Sequence, residues 1–424
     1  MPLNRVQRLV GAVLFTCVCL PAVAAADPVH ITFMHWGSGE SYANRYKALI
    51  ADFEAQNPDI VIDELGGLDS PVYETKLNAL IAGGTAPDVF MADMEFLSTY
   101  ADRAVDLTPF AKADTGFHLS EISPSVVRIF TVDGKLVGFP HDVSPNLYYY
   151  NADLFNAAGI ELPADTWKRD AWTWAAFEAD AKKLTKTDAA GKVAVYGAQV
   201  ATGQSLGRLF MWSNNAPEVD DIYNPKRSLY DQPNAIEAID FIQRLHTQDR
   251  VAEPNGAKQD FPNGDIALWA RWSSGITSFA DVPFKWGIAP YPKGPAAGGR
   301  YASDVGTAGF IVDKSTKHPQ EAWRLVAYLA GPSAAKIIGK MGPGIPIRPG
   351  ARITSFPKNL LNPDDVYAIA ALPDNGNGVR ILSANHDKLN GVVDEVWPKI
   401  LTGQIAAKAG AQEIAQRQNA LISQ

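Results

Sequence analysis

A chain of 424 residues is long enough for two domains, or for one large α/β unit with lobes. With 46% apolar and 20% charged residues it has the make-up of a globular protein and not of a disordered one. The net charge of −8, with no basic run, argues against nucleic acid or an anionic membrane as partner.

In chain order, Arg5 and Arg8 precede an apolar run from Leu9 to Val23, and Ala24-Ala25-Ala26 places small residues before Asp27. This is the pattern of a cleavable export signal over residues 1–26, too short for a membrane anchor, and it directs the chain to the periplasm. Losing Arg5 and Arg8 takes the charge of the mature chain to −10. Cys17 and Cys19 lie inside the run without a good lipobox before either, so cleavage is expected over lipidation. The mature chain then has no cysteine and is held by its core alone.

The next hundred residues alternate periods. Ile31–Trp36 reads as a strand, and Tyr46, Leu49, Ile50 and Phe53 follow at helical spacing. Ile60–Leu65 is a second strand, Val72–Ala82 a helix ended by Gly83-Gly84, and Asp88–Ala92 a third strand. Strand–helix–strand at this spacing predicts βαβ units and a parallel sheet. Beyond them, Gly138–Tyr150 is extended, Trp174–Leu184 helical, Val193–Gln199 a strand and Ala235–Leu245 a helix. Gly309–Val312 is a strand, Gln320–Leu329 a helix, and Lys388–Ile422 helical with a break near Thr402-Gly403. Proline and glycine concentrate at 138–145, 287–309 and 342–350, three zones where the chain is expected to change lobe.

Six segments in order resemble the periplasmic solute-binding proteins of carbohydrate ABC importers, the group that includes maltose-binding protein. They are KLNALIAGGTAPDVF (76–90), GKLVGFPHDVSPNLYYYNADLFNAAGIELP (134–163), WTWAAFEADAKKL (172–184), FPNGDIALWARW (261–272), KWGIAPYPKGP (285–295) and GIPIR (344–348). The resemblance implies a two-lobed α/β fold, each lobe a mostly parallel sheet flanked by helices. On that basis residues 27–141 and 300–342 form the N-terminal lobe, and 142–299 and 343–424 the C-terminal lobe. It implies a ligand in the cleft between them, a membrane permease as partner, a monomer, and no cofactor. A sugar presents hydroxyls around its rim and apolar C–H faces, so its site needs carboxylates, amides and Arg in the ring plane with aromatic plates over the faces.

Each candidate has a plainer reading beside it. Trp36, Ser38 and Glu40 follow the first strand and are expected at the cleft, or else form a turn and helix cap. Ser70, before Pro71, is a cleft contact or an N-cap. Asp93 follows the third strand where relatives place a ligand carboxylate, or it caps the next helix. His141 and Asp142 sit at the first crossing, as ligand contacts or as a hinge pair. In Trp269-Ala-Arg271-Trp272 the family's sugar-stacking Trp falls at or near Trp272, and Arg271 is a fork for hydroxyls or a surface ion pair. Trp212 is an aromatic wall or core. Gly306 and Thr307 at the return crossing and Arg348 at the third complete the set. Relatives carry an aromatic near Asn385–Asn390, where this chain has none.

Catalytic patterns are weak. The seven His are scattered without His-Glu-x-x-His, and Gly37-Ser38-Gly39 is no nucleophile elbow. Ser333-Ala-Ala-Lys336 has no companion motifs and reads as a helix N-cap. The expectation is therefore a receptor that captures a carbohydrate and releases it unaltered. The rivals are the same receptor for an anionic solute, such as a sugar phosphate or sulfonated sugar, and an exported carbohydrate-active enzyme.

Overall fold

The computed structural model describes residues 27–423 apart from 38, 202, 255–258, 343, 349, 355, 376 and 377, and apart from the side chains of 41, 70, 71, 204–206, 277, 278 and 375. The expected export signal, residues 1–26, lies outside the described residues. From Val29 the chain runs β1 (Val29–Trp36), α1 (Glu40–Gln56), β2 (Ile60–Leu68), α2 (Ser70–Ala82) and β3 (Val89–Asp93). β1 pairs in parallel with both β2 and β3, as the βαβ spacing requires. This first sheet is completed by Ala308–Val312, antiparallel to β3, and then Phe139–Pro140, in the order β2, β1, β3, Ala308–Val312, Phe139–Pro140.

A second five-stranded sheet has Asn146–Asn151 between Trp286–Ala289 and Ile266–Trp272, with Val193–Ala198 and Lys186–Thr187 beyond. Only Val193–Ala198 and Ile266–Trp272 pair in parallel there; the other pairs are antiparallel. Both sheets are thus mixed, where a mostly parallel pair was expected. The reason lies in the crossings. Asn146–Asn151 and Ala308–Val312, which follow the two crossings, each sit between two strands and run against both.

Tyr148, Tyr149 and Tyr150 show why the run around them is apolar throughout. All three are fully buried on a central strand; Tyr149 packs with Phe279 and Trp286 on one face, while Tyr148 and Tyr150 join Phe155, Phe177 and Phe210 on the other. Helices His386–Leu401 and Ala407–Ile422 pack on each other and on Pro233–Thr247, covering the second sheet's outer layer. Ser333 is not the cap of its helix: Pro332 takes the first position, where its fixed φ suits the turn, and Gly331 flanks it. Likewise Asp69 flanks α2, which starts at Ser70. No helix among the described residues is long and apolar enough to cross a membrane.

Close approach fixes one glycine. A Cβ on Gly197, in Val193–Ala198, would lie 2.0 Å from the carbonyl oxygen of Ala181 in the helix above. Gly197→Ala should therefore lower stability by about 1–3 kcal/mol, the usual range for overpacking, read as an earlier urea midpoint. An unchanged midpoint would show that strand and helix can part freely.

Candidate functional site

Because β1 and β3 are parallel, they end on one edge of the first sheet, at Trp36 and Asp93. Ala308 pairs with Asp93, and the Met94 amide donates to the Thr307 carbonyl at 3.2 Å, which brings the return crossing to the same edge. The two crossings are bonded to each other: Ser144 N donates to Gly306 O at 2.7 Å and Gly306 N to Ser144 O at 3.2 Å. Thr307 Oγ1 adds a bond to Asp142 O at 2.7 Å. In the second sheet the strand Ile266–Trp272 ends with Trp272 opposite Asn146, beside this junction. Its ring lies so close to Gly306 that a Cβ there would come within 2.6 Å of it.

Over the Trp272 ring, 4.7 Å from its centroid, lies the guanidinium of Arg380. Arg380 Nε donates to Asp304 Oδ2 at 2.8 Å and Nη1 to Glu95 Oε1 at 3.2 Å. Asp304 is 2% exposed, and its Oδ1 has no hydrogen-bond partner among the described residues. Asp93 adds a third carboxylate; its Oδ1 accepts from the Glu95 amide at 3.1 Å, so it is also the cap of the short turn that follows. Burial pushes the Asp93 carboxyl up to about 6, against the opposing pull of Arg380 and with the help of Glu95 and Asp304. The group is thus one indole, three carboxylates and one clamped guanidinium, drawn from the ends of β3 and of Ile266–Trp272, the return crossing and the segment before His386–Leu401.

His141 and Asp142 belong to a separate chain of buried polar contacts. Arg45 Nη1 donates to Asp142 Oδ2 at 3.1 Å, His141 Nδ1 stands 3.2 Å from Asp142 Oδ1, and His141 Nε2 is 3.1 Å from the Tyr46 hydroxyl. The His35 ring stacks on Tyr46 at 3.5 Å and reaches Glu64 at 3.0 Å. Burial would raise Asp142, but His141 and Arg45 overcome it and hold the carboxyl at about 2. Burial lowers the pKa of His141, which is 1% exposed, against the opposing pull of Asp142. The network is closed from solvent except at Asp142, which is partly open, and at Glu64, which is exposed.

Of the residues singled out in the sequence, Trp36, Asp93, Trp272, Gly306 and Thr307 stand along the junction of the sheets. Trp36 is half-buried with its ring edge-on to Tyr73 at 5.3 Å. Glu40 is exposed at the start of α1. Ser38 and the Ser70 side chain lie outside the described residues.

Four residues are not brought to the group. Trp269 is core, stacked on Phe261 at 5.7 Å with the edge of Phe279 against it. Arg271 is exposed with its guanidinium 4.9 Å above the Trp269 ring. Side chains alternate along a strand, so Trp269 and Arg271 share the face opposite to Trp272. Trp212 is buried at the end of the helix Gln204–Ser213. Arg348 donates to the carbonyls of Ala330 (2.6 Å), His118 (3.0 Å) and Phe117 (2.5 Å) and lies over the Phe117 ring, which makes it a buried brace. The sequence reading missed Glu95, Asp304 and above all Arg380. Among the described residues no group of three or more His, Cys, Asp or Glu could hold a metal.

A two-sheet molecule with aromatic and ionic groups gathered at its crossing strands has the build of a two-lobed binding protein. The chain belongs to the bacterial extracellular solute-binding protein family, whose model matches residues 48–360. It is 24% identical over 339 residues to a probable ABC transporter-binding protein of Deinococcus radiodurans, covering 77% of this chain and 78% of that one. It is 26% identical over 335 residues to the maltodextrin-binding protein of Bacillus subtilis, covering 70% and 68%. In three dimensions it resembles an ABC substrate-binding protein from Listeria monocytogenes in complex with cycloalternan, with TM-score 0.76, 24% identity, and 94% and 100% of the two chains covered.

Asp93 makes a pH prediction. A carboxyl raised from 3.8 to about 6 keeps its proton in the folded state through that window, so stability falls as pH rises through it. Asp93→Asn should raise the Tm of the empty protein at pH 7.5 and flatten the Tm–pH curve between about pH 4 and 6. A curve of unchanged shape would mean that the carboxyl is solvated.

Proposed function

We propose that this protein is a periplasmic receptor that captures a carbohydrate at the junction of its two sheets and delivers it to a membrane ABC importer. The observation that carries the proposal is the Trp272–Arg380 group: an indole plate edged by Gly306 and ringed by Asp93, Glu95 and Asp304. These are the parts a sugar needs, acceptors for its hydroxyls and an aromatic face for its C–H surface. The maltodextrin-binding name of one relative and the cycloalternan held by one structural neighbour support the same ligand class.

In this reading residues 1–26 are a cleaved export signal. Residues 27–141 with 300–342, and 142–299 with 343–424, are lobes that move about the crossings. The receptor is a monomer that takes up neither nucleic acid nor cofactor, and it releases its ligand unaltered. An anionic solute is disfavoured because the nearby cations are already engaged. Arg45 is held by Asp142, Arg380 by Asp304 and Glu95, and Arg348 by three carbonyls.

A thermal-shift screen over neutral sugars, polyols and sugar phosphates tests this. A ligand at 100 times its Kd should add about 2.7 kcal/mol of stability, and neutral sugars should shift Tm where phosphates do not. Turnover of any glycan by the purified protein would replace the receptor with an enzyme. Trp272→Ala should weaken binding of the sugar found at least 100-fold while the Tm of the empty protein changes little. A large loss of Tm without ligand would make Trp272 a core residue.

A further inference from the structure

The charge balance around Trp272 narrows the ligand further, on the assumption that the site is the carbohydrate site proposed above. Asp93, Glu95 and Asp304 surround a single guanidinium, and the three carboxylates are close enough that Glu95 and Asp304 each help to raise Asp93. Arg380 commits Nε to Asp304 and Nη1 to Glu95. That leaves Asp304 Oδ1, on a side chain 2% exposed, without a donor. A buried carboxylate oxygen in that condition loses its hydration and gains nothing in exchange.

Among the described residues no other cation is bonded to it: Arg45 is spent on Asp142, and Arg271 is carried on the opposite face of its strand above Trp269. A hydroxyl could donate to the orphan oxygen but would leave the excess negative charge in place. A phosphate would add to it. An ammonium group both donates and neutralises, and against an indole it gains a cation–π contact as well.

We infer that the carbohydrate taken at the Trp272–Arg380 group is an amino sugar, bound with its protonated amine against Asp304 and Asp93. The test is calorimetric titration of the protein with glucosamine oligomers of two to four units. The N-acetylated oligomers of the same length and linkage, and the matching β-1,4-glucose oligomers, are titrated in parallel at pH 7.0. The free amines should bind at least tenfold tighter than either counterpart, and raising salt from 50 to 500 mM should shrink that preference. Asp304→Asn should abolish the preference, so that the free amines, the N-acetylated oligomers and the glucose oligomers bind with affinities within about threefold of one another. Asp93→Asn, in which the buried Asp304 is untouched, should reduce it and serves if Asp304→Asn does not fold.

Binding of the neutral or acetylated oligomers as tightly as the amines overturns the inference and leaves the carbohydrate receptor standing. So does a preference that survives both substitutions. Failure of these and of every other neutral or amino sugar to bind sinks the receptor reading itself.

Discussion

The structure turns on the paired amides of Ser144 and Gly306. Two crossing strands, from opposite halves of the sequence, are bonded to each other in both directions, and Thr307 Oγ1 ties the same strands again at Asp142. That pairing sets the distance between the sheets and makes their edges meet. Because it needs the strands in contact, residue 306 must also be small. Trp272 comes down on it, and any Cβ would push the ring away. The indole's place is therefore set by backbone pairing, a more rigid guide than side-chain packing on a loop.

Two buried polar systems flank this junction and differ in their balance. In the first, His35, Tyr46, His141, Asp142 and Arg45 form a buried chain that ends at the exposed Glu64, and His141 and Arg45 together hold the Asp142 carboxyl at about 2. Removing either partner from it would strand a buried charge. In the second, one guanidinium faces three carboxylates, burial lifts Asp93 to about 6, and an oxygen of Asp304 is left over. The second therefore keeps a buried oxygen that the ligand proposed above would complete.

The elements were largely legible. The 3.6 period of Trp174–Leu184 and the βαβ alternation from Ile31 to Ala92 depend on local pattern, and the chain folds as they indicate, often with the same ends. The site was legible only in part. Trp36, Asp93 and Gly306 follow from strand ends and crossings. Trp269, Arg271 and Trp272 were taken together as one ligand-facing run, although a strand divides them: the period of two sends Trp272 to one side and its companions to the other. That signal was present in the sequence. Arg348 was drawn toward the cleft by its place at a crossing, and nothing local reveals that three carbonyls from distant turns converge on it. Arg380 left no trace at all. It sits in the irregular stretch 378–385, without period or cap, and its contacts are with residues 76 and 285 positions away.

Arg380 also bears on how the two halves hold together. It is borne on the segment leading into the helix His386–Leu401, which packs with the second sheet's helices, yet it reaches Glu95 beyond the end of β3. Tyr223 makes a similar reach, its hydroxyl donating to the carbonyls of Arg128 and Ile129, and Asp374 accepts from the Ser125 amide and the Ser123 hydroxyl. Each such bond is worth about 0.5–1.5 kcal/mol net, and one to a charged group somewhat more. Together they amount to a few kcal/mol, added to the apolar packing that joins residues of both halves in one buried cluster. The ligand proposed above, touching Asp93 on one side and Trp272 on the other, would add its contacts only when the halves are together, so its differential affinity would favour that state.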